Sequence, residues 1–288
     1  MKRKKTAIFL TLGLLVGICV LLYPAISGYW NSRTQSHAIT NYESILENLK
    51  PEDYTAIFEN AQAYNQALYE TNYPLMDYKT VPGYFESLSV AGNPMMGYLQ
   101  IDRINVELPI YHGTSDDVLN IGVGHLQGSS LPIGGENTHS VMSAHRGLPS
   151  SKLFTDLDRL EVGDTFRIII LDQMLTYQVD QIKIIEPTDV TDLQIIEGGD
   201  YCTLFTCTPY GINTHRLLVR GTRIANATPK LYVTSNAYKI DSLVATPVVA
   251  APILLILLIV LMVKYRDEGS KPLISKEEDE WLKEELGQ

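Results

Sequence analysis

Cysteine is scarce in this chain: three residues in 288, with no pair at the CxxC spacing of a zinc or redox site. A disulfide-dense scaffold is therefore excluded. Positive charge is also in deficit, 23 Lys and Arg against 33 Asp and Glu, for a net charge of −10. A nucleic-acid binder would need a basic stripe to neutralise phosphates, so that class is excluded too. The six histidines show no HxxxH or HxH spacing, and no Gly-rich phosphate loop or dinucleotide motif is present. No metal and no cofactor are expected. Internal repeats and low-complexity tracts are missing as well, and 45% hydrophobic with 19% charged residues does not suit disorder, collagen or coiled coil. The length suits one or two domains.

What is present divides the chain. After the basic N-terminus (residues 1–6), residues 7–26 form an apolar run of about 20 residues, enough to span a hydrocarbon core and longer than a signal-peptide core. A second uncharged run, residues 243–263, ends in Lys264-Tyr265-Arg266 and holds Pro247 and Pro252 in its first half. Two transmembrane helices are expected. The basic clusters at their flanks put both termini in the cytoplasm and the intervening residues outside the cell membrane. Residues 1–5 carry four positive charges, and residues 264–288 carry five positive and eight negative. The remainder holds 14 basic and 25 acidic residues, so the exported part is the acidic one. In the tail, Ser275 and Glu278 form a capping-box pattern before Trp281 and Leu282, which predicts a short helix on a solvated segment.

Within the exported part, residues 36–70 read as two helices, with Tyr42, Ile45, Leu46 and Leu49 recurring at three and four and Pro51 dividing them. Residues 71–97 hold Asn72, Pro74, Pro82, Gly83, Gly92, Asn93 and Pro94 and read as a long loop, a length that suits a lid over a site. Residues 98–226 read as β structure: short strands over 97–101, 106–111, 138–144, 163–171, 175–185, 201–206 and 214–224. A hairpin turn is expected at Asp172-Gln173, and a short helical stretch carrying Leu153, Phe154 and Leu157 between 144 and 163. Many short strands with Gly, Pro and Asp turns predict a closed barrel or sandwich, mainly β, followed by a linker over residues 227–242.

Cys202 and Cys207 are the exported cysteines, five apart in one strand-like segment, so they face opposite sides and cannot easily bridge. Cys202 is expected to be an apolar strand residue. Cys207 ends its strand, and Arg216 begins the next, nine residues on. A hairpin would make them neighbours across paired strands. His145 also ends a strand, before Arg146-Gly147-Leu148-Pro149. A thiolate attacks, a neighbouring cation favours its ionisation, an imidazole moves a proton, and a guanidinium steadies a developing oxyanion. Those parts suit acyl transfer through a thioester. Other polar groups have structural readings. His215 is expected on the opposite strand face from Arg216, His125 and His139 to hold backbone, and Asp116, Asp117, Glu136, Asp189 and Asp192 to be solvated loop carboxylates.

At these residues the sequence resembles a known family. Thr203-Leu204-Phe205-Thr206-Cys207 resembles the TLxTC signature of sortases, the cysteine transpeptidases of Gram-positive cell surfaces. Three longer stretches are similar to the pilin-polymerising subfamily, class C: from Cys207 through Thr208, Pro209 and Tyr210 to Gly221, from Gly124 to Pro132, and from Ser143 to Pro149 with Lys152–Leu157 after it. The resemblance implies a sortase-type β-barrel of about eight strands with N-terminal helices and two flanking transmembrane helices. It implies Cys207 as nucleophile, His145 as general acid and base, Arg216 at the oxyanion, and Thr206 and Thr208 at the substrate. The thiol would cleave an LPxTG-like sorting signal between Thr and Gly. A lysine of the next pilin subunit would then take the acyl group. One departure concerns the lid, where the subfamily commonly carries an Asp-Pro-aromatic motif. Here the nearest match is Asn72-Tyr73-Pro74-Leu75, which keeps the Pro alone. A looser or differently anchored lid is expected, with Tyr73, Pro74 and Leu75 as its candidates. The rival readings are a housekeeping sortase that anchors proteins to peptidoglycan and a non-catalytic pilus assembly factor. The trio of Cys207, His145 and Arg216 opposes the second.

Overall fold

The computed structural model describes residues 2–71, 74–226, 250, 252–257 and 259–260. The chain forms two compact units, residues 1–26 with 237–288, and residues 27–236. In the first unit the described chain is helical. Helix α1 (Lys2–Leu46) begins there, and its Thr11–Leu46 portion is long and apolar enough to cross a membrane, with a mean hydropathy of 2.0 in a window of which no part is buried. Leu12, Val16, Val20 and Ile26 stand open to the surroundings, a run of apolar surface that suggests membrane anchoring. Most of the second expected span, with the linker, the tail helix and Tyr73, lies outside the described residues; 250, 252–257 and 259–260 are helical.

In the second unit α1 continues to Leu46, so residues 27–35, for which the sequence predicts no element, are helical. Helix α2 (Pro51–Tyr69) follows. Pro51 opens it, the Lys50 backbone N–H donates to the Asp53 carboxylate at 3.0 Å, and Glu52 and Asp53 sit in its positive first turn. Its buried stripe, Ala61, Tyr64, Asn65 and Leu68, recurs at three and four and faces the barrel. Asn65 clamps Leu131, donating to its carbonyl at 3.2 Å and accepting from its N–H at 2.7 Å.

Eight strands close the barrel: β1 (Met95–Ile101), β2 (Val106–His112), β3 (Val123–His125), β4 (Thr138–Ser143), β5 (Thr165–Ile170), β6 (Gln173–Ile185), β7 (Asp200–Thr208) and β8 (His215–Ile224). Around the barrel they run β1-β2-β3-β4-β7-β8-β6-β5. The β2–β3 and β4–β7 pairs are parallel and the others antiparallel. Closure leaves no sheet edge open along the ring. Its interior joins Leu99, Ile110, Val123, Ile168, Leu204 and Val219 to Ile39 and Tyr42 of α1 in one core. Tyr42 is pinned there, its hydroxyl donating to the Met96 carbonyl at 2.9 Å and accepting from the Leu171 N–H at 3.0 Å. Gly97 has to be glycine, because a Cβ would run into the Ile169 carbonyl of the paired strand.

Three expectations change. Strand β3 was not legible: three residues with a central Gly124 show no period, and parallel pairing alone defines them. The β5–β6 turn falls on Leu171-Asp172, one residue early, with Ile170 opposite Gln173. Leu171 takes φ 53° there because its side chain is buried and its N–H is held by Tyr42, so tertiary packing overrides turn preference. In place of a helix, residues 144–163 form turns ending in a 3-10 turn, Leu157–Arg159. Leu153 at φ 39° cannot continue an α-helix, although Leu153, Phe154 and Leu157 are all buried as their spacing suggests.

Candidate active site

The β7–β8 hairpin places the first two candidates. Alternation sends Cys202, Leu204 and Thr206 toward the core, with Leu204 fully buried, and Thr203, Phe205 and Cys207 to the outer face. Cys207 is half-buried and lies directly opposite Arg216 in the ladder. Residues opposed in this way have neighbouring side chains on one face of the sheet. The Arg216 guanidinium is steadied by its own hairpin, donating to the carbonyls of His215 at 3.0 Å and Asn213 at 3.2 Å. The turn itself is closed by N–H groups of Ile212 and Asn213 on the Pro209 carbonyl, at 3.1 and 2.9 Å.

His145 reaches the same place from β4. Strands β4 and β7 are parallel, with Ser143 opposite Phe205, so carrying that register two residues further aligns His145 with Cys207. The His145 carbonyl accepts the Phe154 N–H at 3.1 Å, which folds the following loop back on its root. Thr206 is 1% exposed on the inward face, and its hydroxyl donates to the Ala144 carbonyl at 2.8 Å; it braces the strand end behind His145. Thr208 is also buried, and its hydroxyl accepts from Arg146 Nη1 at 3.3 Å. The Arg146 side chain is 7% exposed and ion-paired to Asp158, with the Tyr210 ring 5.9 Å from its guanidinium carbon.

Beside the trio lies an apolar patch on the outer barrel face: Val141, Ile185, Leu193 and Leu218, with Leu126, Val190 and Phe205 at its border. Phe205 is two residues before Cys207 on the same face. Leu75, from the 71–97 segment, packs into this patch, and Pro74 before it is buried. Gly128, at φ 95°, makes room for that segment, since a Cβ there would stand 2.8 Å from the Pro74 carbonyl. Sequence reasoning missed the patch because its members come from five stretches of chain with no common spacing. It also gave Arg146 no role, since burial of an arginine leaves no mark in the sequence.

The other histidines are scaffold. His125 is fully buried between the Tyr84 hydroxyl at 2.9 Å and the Ser130 carbonyl at 2.8 Å. His139 bridges the Gln194 carbonyl at 2.8 Å and the Thr203 hydroxyl at 2.7 Å. Desolvation by burial holds both far below the ordinary imidazole value, at about 4, against backbone acceptors that favour the cation. His215 stands within 3.3 Å of Glu186 at the surface. Cys202 is buried and free, its thiol pushed well above its usual range by burial, so it offers no competing thiolate. Among the described residues, no three His, Cys, Asp or Glu side chains converge as metal ligands would.

Comparison with known proteins agrees with this fold. The family described as Sortase domain matches residues 99–224. Sortase C1 of Streptococcus agalactiae is 48% identical, covers 66% of this chain and 100% of its own, and superposes with a TM-score of 0.61. A Clostridium perfringens sortase C solved with a C-terminal cell wall sorting motif is 44% identical, covering 66% of this chain and all of its own at a TM-score of 0.58. Sortase D of Bacillus subtilis is 34% identical over 131 residues, 44% of this chain and 63% of the relative, so the match spans less than two thirds of that protein. A barrel of this order, with a thiol opposite an arginine and beside the histidine strand, matched along its length by class C enzymes, identifies the chain as a member of the sortase family of cysteine transpeptidases.

Proposed function

We propose that this chain is a membrane-tethered class C sortase that cleaves an LPxTG-like sorting signal between Thr and Gly and joins the acyl group to a pilin lysine. The observation that carries the reading is the Cys207–Arg216 opposition at the point where β4 delivers His145. Cys207 Sγ attacks the Thr carbonyl carbon, and the oxyanion that forms lies within reach of the Arg216 donors. His145 gives a proton to the departing glycine amine, leaving a thioester on Cys207. The lysine ε-amine then attacks the thioester, loses its proton to His145, and the thiolate leaves as the isopeptide bond forms. Atoms and charge balance without any further reactant.

The apolar patch beside Cys207 suits the Leu and Pro of such a signal, and Leu75 occupies it in the resting chain. We read the start of the 71–97 segment as a lid anchored by Pro74 and Leu75 rather than by an acid or an aromatic ring; from Val81 onward the segment joins the barrel core, and Met95 already belongs to β1. The exposed apolar helix and the basic residues at its start support an anchor with the barrel on the extracellular side. Tethering enzyme and membrane-bound pilin to one surface would raise their effective concentration.

The test is covalent capture. The full chain in detergent, incubated with an LPxTG-type peptide, should gain an acyl adduct on Cys207 by mass spectrometry, and Cys207→Ala should not. An adduct resolved by a pilin lysine peptide but not by a peptidoglycan stem peptide would support the pilin enzyme over the housekeeping one. No adduct across several sorting peptides, with Leu75→Ala included to open the lid, would refute the catalytic reading.

A further inference from the structure

The backbone ladder between β4 and β7 stops short of the residues it has to align. Its last pair is Ser143 with Phe205, followed by one more bond, Ala144 N–H to the Phe205 carbonyl at 3.3 Å. His145 and Cys207 lie beyond it, yet two side-chain bonds continue the pairing. Thr206 donates to the Ala144 carbonyl, and Arg146 Nη1 donates to Thr208, each joining the residue beside one candidate to the strand of the other. Arg146 adjoins His145 and Thr208 adjoins Cys207, so this bond spans the pair itself.

Arg146 is an odd choice for a buried position. Its side chain is 7% exposed, and its Nε is buried with no partner. A buried guanidinium with an unsatisfied donor, paired only with the half-exposed Asp158, adds little stability compared with an apolar residue of the same size. In some proteins such a buried polar group serves instead to fix geometry. Here the guanidinium is held on three sides, by Thr208, by Asp158 of the 3-10 turn and by the face of Tyr210 from the β7–β8 turn. Gly147 lets the ring lie close, since a Cβ there would be 3.2 Å from it.

We propose that Arg146 is a positioning residue, and that its bond to Thr208 carries the β4–β7 pairing past the end of the ladder and so sets His145 beside Cys207. The proposal rests on the sortase reading of the trio. Neighbouring residues on a strand face opposite ways, so Arg146 and Thr208 work behind the site while His145 and Cys207 face the substrate.

Kinetics on the full chain in detergent tests it. Misplacing reacting groups by about an ångström lowers turnover by up to about 100-fold, so Arg146→Met and Thr208→Val should each reduce kcat about 10- to 100-fold with KM within about threefold. Thr208→Ser keeps the hydroxyl and should restore kcat. The double variant should be no slower than Arg146→Met alone, because both break one link. Arg159→Met removes an exposed nearby cation and should change nothing. Alkylation of Cys207 by iodoacetamide reads the pairing without a substrate, and should slow by about threefold or more in Thr208→Val and recover in Thr208→Ser. A folded Thr208→Val with unchanged alkylation and kcat, a loss confined to KM, or additive effects would overturn the clamp. If Arg146→Met does not fold, the Val and Ser variants at 208 decide alone. A wild-type chain that turns over no sorting peptide refutes the parent reading, while the alkylation series still decides the clamp.

Discussion

Leu75→Ala should uncover the thiol. The side chain is partly buried against the patch of Val141, Ile185, Leu193 and Leu218, and truncation removes three carbons from that contact. At about 0.8 kcal/mol per buried methylene, full burial would be worth about 2.4 kcal/mol, and partial burial about 1–2 kcal/mol. If the segment must lift for a bulky reagent to reach Cys207, the open fraction rises by the same free energy, about 5- to 30-fold. The assay is the second-order rate of Cys207 modification by an aromatic disulfide such as Ellman's reagent, with Cys207→Ala giving the background from Cys19. Met76→Ala is the control, because the next residue is 73% exposed. A rate for Leu75→Ala within about 1.5-fold of wild type, or an equal rise in Met76→Ala, would refute the idea that Leu75 closes the site.

Two further outcomes follow from the same geometry. Arg216→Ala should lower kcat by about 100- to 1,000-fold, the loss typical of one oxyanion donor, and Arg216→Lys should recover part of it; an Arg216→Ala enzyme within tenfold of wild type would remove the guanidinium from the mechanism. Stability should fall as pH drops from about 6.5 toward 4, because His125 and His139 are held neutral in the fold at about 4 while the unfolded chain binds their protons from about 6.5 downward. That stabilisation is present above the unfolded value and lost through the folded one, up to about 3 kcal/mol for each residue. Urea titrations at pH 7 and pH 5 that give equal unfolding free energies would contradict the sign.

Much of the site was legible because it rests on local rules. Arg216 stands nine positions after Cys207, the intervening Pro, Gly and Asn mark a turn, and alternation then puts the two on one face; the ladder pairs them as that spacing predicts. The 3.6 period of α2 likewise chose its buried stripe. What escaped depends on contacts distant in sequence. Strand β3 exists only because β2 and β4 flank it, and Leu171 takes a left-handed turn only because Tyr42, 129 residues earlier, receives its N–H. The helical residues 27–35 lie between an apolar run and an amphipathic one, where neither period applies, yet Asn31 donates to the Ser150 carbonyl at 2.8 Å and Gln35 to the Ile121 carbonyl at 3.1 Å. The seat of Leu75 is of the same kind.

The parallel pairing of β4 with β7 has a consequence in time. Cys207 and Arg216 meet through a local turn, a contact that forms early and at small entropic cost, whereas His145 must be joined to Cys207 across 62 residues and a crossover. A partly folded chain would therefore carry a thiol and a guanidinium but no proton carrier. Its acyl-transfer power would switch on only when the barrel has closed, so that an unfinished molecule has a nucleophile without a working site.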